Sequence, residues 1–155
     1  MKISKLTDYG ILVLNHLASI GSVRQSTEEI ACATSLAVPT VRKVLKVLMD
    51  SGLVQAQRGK GGGYRLSRAP SDIPLLTVVE AFEGRMRLTE CSTEGSDCEI
   101  TETCSLSDHW GSINDILLLV LGGISLEELR NPALLNRIRH SLESASERIR
   151  LVAVD

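Results

Sequence analysis

The residues best equipped for chemistry are three cysteines, Cys91, Cys98 and Cys104, separated by six and then five intervening residues. Glu94, Asp97, Glu99 and Glu102 lie among them, with no lysine or arginine. In a reducing compartment, thiols grouped in this way point to a metal rather than to disulfides. Structural zinc sites grip their ion with close C-x2-C pairs, which this spacing lacks. Wider spacing suits an iron–sulfur cluster, whose irons spread over more space and whose thiolates can be joined by one other group. Zinc, or a loop whose cysteines bind nothing, are the alternatives at this point. Without metal the thiolates and carboxylates repel one another, so the segment is expected to be disordered until loaded. The same negative surroundings oppose adding an electron and lower the reduction potential, which suits a sensor better than an electron carrier. The fourth cysteine, Cys32, falls within an apolar stretch and reads as a packed core thiol.

Helices must position this segment. The apolar spacing of Leu6, Ile11, Leu14, Leu17 and Ala18 predicts a first helix over 7–19, ended near Gly21. Ser26-Thr27-Glu28-Glu29 has the S-x-x-E pattern of a capping box and opens a short second helix that reaches about Thr34. Pro39 suits the first position of a third, where its missing N–H costs nothing. That helix places Val41, Val44, Leu45, Leu48 and Met49 on one face and Arg42, Lys43 and Lys46 on another, with Gly52 as its stop. Two short helices joined by a tight turn, the second basic, make a helix-turn-helix. The stretch from Leu53 to Arg58 is strand-like, Gly59-Lys60-Gly61-Gly62-Gly63 must turn, and Tyr64-Arg65-Leu66 returns. A hairpin there turns the motif into a winged helix. The basic helix would then enter a major groove while Arg58, Lys60 and Arg65 reach phosphates or the minor groove. The same glycine run could be read as a phosphate loop, but it lacks G-K-S/T and no helix follows it immediately.

Beyond the hairpin, residues 73–83 predict a short helix stopped by Gly84. After the cysteines, Ser105-x-x-Asp108 is a candidate cap for a helix running to Leu121, with Gly122-Gly123 as its stop. Ile113, Ile116, Leu117, Val120 and Leu121 form its stripe, and Leu118 and Leu119 carry apolarity further around it. A helix apolar on more than one side wants more than one partner, so this one is predicted as a dimer contact, an internal core helix being the alternative. Asn131-Pro132 opens a last helix with Leu134, Leu135, Ile138, Leu142 and Ile149 as its stripe. The predicted fold is mainly α: a winged helix-turn-helix with a short β-hairpin wing and a long C-terminal dimerisation helix. It divides into a DNA-binding domain over 1–84, a cysteine loop over 85–105, and the dimerisation and terminal helices over 106–155.

Composition agrees. The chain has 155 residues, 43% hydrophobic and 23% charged, enough for one globular domain with an attached helical segment. Its formal charge of −2 is a sum of opposites. Residues 1–68 carry ten lysines and arginines against four aspartates and glutamates, a net of +6, and the remainder carries seven against fifteen, a net of −8. The N-terminal part is therefore built to meet a polyanion. Four aromatic residues are too few for a module that stacks bases on rings. The longest apolar run, Ile116 to Leu121, is far short of a membrane span, and polar residues interrupt the N-terminus too often for a secretory signal, so a cytoplasmic protein is expected. H-E-x-x-H and G-x-S-x-G are absent, and His16, His109 and His140 are dispersed, which argues against an enzyme.

Together, the opening Ser4-Lys5-Leu6-Thr7-Asp8-Tyr9-Gly10, the helix-turn-helix over 28–51, the wing GLVQAQRGKGGGYRLSR and the cysteine trio resemble the Rrf2 family of winged-helix regulators, over about residues 1–130. The combination of the R-G-x-G-G-G-Y wing, Arg58 to Tyr64, with the three cysteines is specific. The opening is most similar to the branch that regulates iron–sulfur assembly genes. The resemblance implies a homodimer on a palindromic operator in double-stranded DNA, and a 2Fe–2S or 4Fe–4S cluster held by Cys91, Cys98 and Cys104. For the fourth ligand, the IscR-type pattern has a histidine three residues after the last cysteine. Ser107 stands there, and the nearest histidine is His109. The NsrR-type pattern uses an aspartate on the first helix of the partner subunit, a position that Asp8 matches and that makes it the preferred candidate, with His109, or water or another group, as the alternatives. Candidate DNA contacts are Thr40, Arg42, Lys43, Lys46, Arg58, Lys60, Gly61 and Tyr64. Arg42 falls where IscR-type relatives carry an acidic residue, so operator sequence does not transfer. The expected function is an iron–sulfur-dependent repressor of iron–sulfur assembly genes. A nitric-oxide or redox sensor of the same family, or an iron–sulfur carrier, are the other readings.

Overall fold

A computed structural model describes residues 3–89, 104, 106–131, 133, 134, 136 and 138–140. Helix α1 spans Lys5–Ser19, α2 Thr27–Thr34 and α3 Val38–Asp50. The hairpin follows as β1, Val54–Gln57, and β2, Gly63–Leu66, and then come a single 3-10 turn at Pro70–Asp72, α4 at Leu75–Glu83, α5 at Ser107–Gly122 and the one-turn α6 at Leu126–Leu129. The strands pair antiparallel with Val54 opposite Leu66 and Gln57 opposite Gly63.

Local chemistry explains the boundaries. The Ser26 hydroxyl accepts from the Glu29 N–H at 3.2 Å and the Glu29 carboxylate accepts from the Ser26 N–H at 2.7 Å, which is the predicted capping box. These bonds favour the charged carboxylate and hold the Glu29 pKa below its usual value. The turn between α2 and α3 passes through Ser35 at φ 56, left-handed, which lets its N–H close onto the Ala31 and Cys32 carbonyls. Pro39 is the second residue of α3 rather than the first, and this position is equally free of an intrahelical N–H bond.

The core is aliphatic, as the shortage of aromatics requires. Val13, Leu14 and Leu17 of α1, Ile30 of α2, and Val41, Val44, Leu45 and Leu48 of α3 are buried together with Leu53, Ile73 and Val78. Leu126 of α6 joins the same cluster. It is fixed there because the Leu126 N–H donates to the Ile73 carbonyl and the Leu75 N–H to the Ile124 carbonyl. The sequence reading missed α6, although Ser125-x-x-Glu128 is a second capping box, with both of its bonds formed. A single turn is too short to show periodicity.

Two expectations are corrected. Cys32 is exposed rather than packed in the core, because α2 turns Thr27, Ile30 and Ala31 inward and leaves Cys32 on the opposite side. The predicted Ser105–Asp108 cap does not open α5: the helix starts at Ser107 with Leu106 at the cap, already in a right-handed helical conformation and without a side-chain cap bond. The last predicted helix is helical at 134, 136 and 138–140, with Leu134 buried, while Leu135, Leu142 and Ile149 lie outside the described residues.

Helices α1 and α4 are clamped at their ends. Glu83, the last residue of α4, accepts one hydrogen bond from the Ser4 N–H at 2.9 Å and another from the Thr7 hydroxyl. Gly10 lies against the Phe82 ring, where a Cβ would have no room. The bonds to Thr7 and Ser4 hold the Glu83 carboxyl below its usual value of 4.5. A depressed carboxylate contributes stability that is present above its unfolded pKa and lost as pH falls through the folded one. Thermal unfolding should therefore lose stability faster between about pH 5 and pH 3 in the wild type than in Glu83→Gln; parallel curves for the two would show that the clamp contributes nothing.

Candidate nucleic-acid interface and cysteine segment

Arg42, Lys43 and Lys46 are exposed on α3, and Arg58, Lys60 and Gly61 are exposed on the wing turn. Thr40 is half-buried in the first turn of α3. The hydrophobic half of α3 faces the core, so its basic half has nowhere to point but outward. Arg42 donates to Glu28 of α2 at 3.4 Å, with both side chains about two-thirds exposed. An exposed pair of this kind contributes at most about 1 kcal/mol, so the guanidinium can exchange Glu28 for a phosphate or base edge at little cost.

Tyr64 stands apart from the other candidates. It packs against the core from β2, and its backbone exchanges two hydrogen bonds with Gln25, at 2.8 and 3.1 Å. Gln25 thus adds a one-residue third strand to the hairpin, and its side chain also contacts His16 of α1 at 2.5 Å. Tyr64 and Gln25 fix the angle at which the wing leaves the domain, a role the sequence did not reveal because one bridging residue leaves no periodic trace. Arg65, read from sequence as a possible phosphate contact, is half-buried, with its Nε enclosed.

Cys91 and Cys98 lie outside the described residues. Cys104 is half-buried and stands three residues before the first residue of α5. The approach to the cysteines is also tied to that helix, since the Leu88 N–H donates to the Asn114 Oδ1 at 3.1 Å and Met86 is buried. One end of the cysteine segment is therefore bonded to α5, and the other leads into the start of that helix within three residues. Asp8 is exposed in the first turn of α1, next to the Thr7–Glu83 clamp, and His109 is exposed near the start of α5. A thiolate set with a carboxylate or imidazole is a donor set suited to an iron–sulfur cluster. Among the described residues no three of His, Cys, Asp and Glu converge.

One face of α5 is apolar and open. Leu106 is 56% exposed, Trp110 39%, Ile113 48%, Ile116 57% and Leu119 76%. The opposite side buries Asn114 and packs on α4. No helix among the described residues is long and apolar enough to cross a membrane.

A basic recognition helix, a Gly-rich wing and a helix-turn-helix on one aliphatic core define a winged-helix DNA-binding protein. The family model for Rrf2, described as an iron-dependent transcriptional regulator, matches residues 3–132. The chain therefore belongs to the Rrf2 family: it is a DNA-binding transcriptional regulator and not an enzyme. It is 28% identical over 131 residues to the HTH-type transcriptional regulator NsrR of Geobacillus kaustophilus, covering 83% of this chain and 89% of that one. Among solved structures it resembles CymR, the global cysteine regulator of B. subtilis, at 28% identity and a TM-score of 0.65, over 83% of this chain and 95% of the other. It also resembles IscR of T. potens at 28% identity and a TM-score of 0.62, over 86% and 88%.

Proposed function

We propose that this regulator is a cytoplasmic homodimer that represses iron–sulfur assembly genes and reads its signal through an iron–sulfur cluster on Cys91, Cys98 and Cys104. The observation that carries this reading is that the approach to the cysteine segment is hydrogen-bonded to α5 at Leu88, while Cys104 stands three residues before that helix. Asp8 of a partner subunit is the preferred fourth ligand and His109 the alternative. The likeness to IscR and NsrR supports the cluster. The exposed apolar face of α5 supports self-association, because a contiguous apolar stripe in water marks an interface. Two α5 helices joined in this way would carry two recognition helices to the halves of a palindromic operator. Functionally, the chain divides into DNA-binding (1–84), cluster-binding (85–105) and dimerisation (106–155) parts.

The coupling follows from the chain path. A cluster on the cysteine segment would fix the start of α5, and α5 sets the spacing of the two recognition helices. Thr40, Arg42 and Lys43 would read bases, and Lys46, Arg58, Lys60 and the Gly61 backbone would hold phosphates or the minor groove, with Tyr64 supporting the wing. Fluorescence anisotropy on an operator duplex across a salt series tests the DNA-contact half. Arg58→Ala should weaken binding on all sequences and reduce the slope of log affinity against log salt by about one. An unchanged slope would remove Arg58 from the phosphate contacts. Changes at Thr40, Arg42 or Lys43 should instead alter base preference.

A further inference from the structure

The DNA contacts proposed above and the cysteine segment leave Arg24, Arg65 and Arg68 without an assigned role. The Gln25–Tyr64 bridge is antiparallel, which sets Arg24 opposite Arg65, and the hairpin register sets Gln55 opposite Arg65 on its other side. Residues directly opposite on adjacent strands share a face, so Arg24, Arg65 and Gln55 form one cross-strand row, facing away from Tyr64 and Leu66, which pack on the core. Two arginines in such a row repel each other. Moreover, Arg65 Nε and Arg24 Nη1 are buried with no hydrogen-bond partner among the described residues. The ion pair found among those residues, Arg42–Glu28, involves neither of them. Unpaired buried donors on two neighbouring cations carry a cost that a small shift of either guanidinium onto an anion would relieve.

A cavity of about 290 Å³ opens beside this row. Arg65, Arg68, Gln55, Ser22 and Ser67 supply its polar lining, between the turn that ends α1 and the chain leaving β2. Its volume lies near the lower limit of small-ligand pockets, and guanidinium forks and hydroxyls suit a planar or tetrahedral oxyanion. We propose that this cavity binds a small phosphate-bearing anion, held by Arg65 and Arg68 with the Ser22 and Ser67 hydroxyls, while Arg24 adds charge from the neighbouring strand. Two arginines lining one cavity, with Arg24 opposite Arg65 on the neighbouring strand, favour a phosphate dianion over a single carboxylate. The small volume of the cavity favours a small free anion over the backbone of a duplex. The bound anion would brace the Gly21–Ser22 turn against β2 and so steady the base of the wing. The site stands independently of the cluster and of the operator contacts.

The test is a heteronuclear NMR titration of the full chain with inorganic phosphate and then pyrophosphate, against sodium chloride at equal ionic strength, with thermal unfolding in parallel. Saturable shifts at the Ser22, Gln55, Arg65 and Ser67 amides, a raised unfolding midpoint, and affinity at least tenfold weaker in Arg65→Gln are expected. Arg68 is exposed, so Arg68→Gln keeps the fold and should weaken binding several-fold even if Arg65→Gln folds poorly. A response no larger than that to chloride, or one retained in both variants, would overturn the site. So would a reduced salt slope for duplex binding in both variants without a saturable phosphate response, because it would place these arginines on DNA.

Discussion

Replacing Cys98 with alanine is expected to reduce iron and sulfide to background and to fix operator binding in its cluster-free mode. Three thiolates are all that this segment offers a cluster, and removing one leaves two anchors and a carboxylate-rich surround that repels them. In the wild type, reconstitution should change operator affinity by a coupling of about 1–3 kcal/mol, some 5- to 150-fold. In Cys98→Ala that ratio should fall to one, while binding of the cluster-free protein stays intact because Cys98 belongs to neither α3 nor the wing. Anisotropy titrations before and after anaerobic reconstitution measure the ratio directly. If the variant still responded to reconstitution, Cys98 would not be a ligand.

The second large effect belongs to the base of the wing. Gly63 adopts φ 134, and a Cβ built there would lie 2.6 Å from the Gln25 carbonyl oxygen and 2.7 Å from its carbonyl carbon. Both are backbone atoms, which cannot swing aside as a side chain can. The strained φ costs about 1–3 kcal/mol and the overpacking about as much again. Against this, the loss of glycine's unfolded-state entropy returns only about 0.4–1 kcal/mol, so destabilisation wins. The cheapest relief is to break the Gln25–Tyr64 bridge. Gly63→Ala should therefore lower stability by about 2–4 kcal/mol in chemical denaturation and speed amide exchange at Gln25 and Tyr64. It should also weaken operator binding while leaving cluster content unchanged. Protected amides at those two positions would show that the bridge does not set the wing.

How far the sequence reached depended on which forces fixed each element. The Ser26–Glu29 box, the amphipathic α3 and the Gly-rich hairpin were legible because each is determined within a dozen residues, by capping, by periodicity or by turn chemistry. Cys32 was misjudged because α2 is only eight residues long, and its inward face depends on where α1 and α3 pack. The roles of Gln25, Glu83 and Leu126 were hidden for the same reason: each acts on a residue at least 39 positions away in the chain. The cysteine trio pointed to metal chemistry by type and spacing, which the proposed cluster carries forward. A fourth ligand for the proposed cluster did not follow, because Asp8 and His109 are each compatible with one and the choice would depend on how two subunits meet.

The most direct measurement of the central claim is the visible absorption and circular dichroism of anaerobically purified protein, with iron and sulfide assays, for the wild type beside Cys91→Ala. The account predicts visible absorption with matching iron and sulfide in the wild type and loss of all three in the variant. A wild-type protein that stayed colourless and iron-free after anaerobic reconstitution would contradict it: the winged helix would stand, and the three cysteines would be a thiol switch, a zinc site or a segment without a metal.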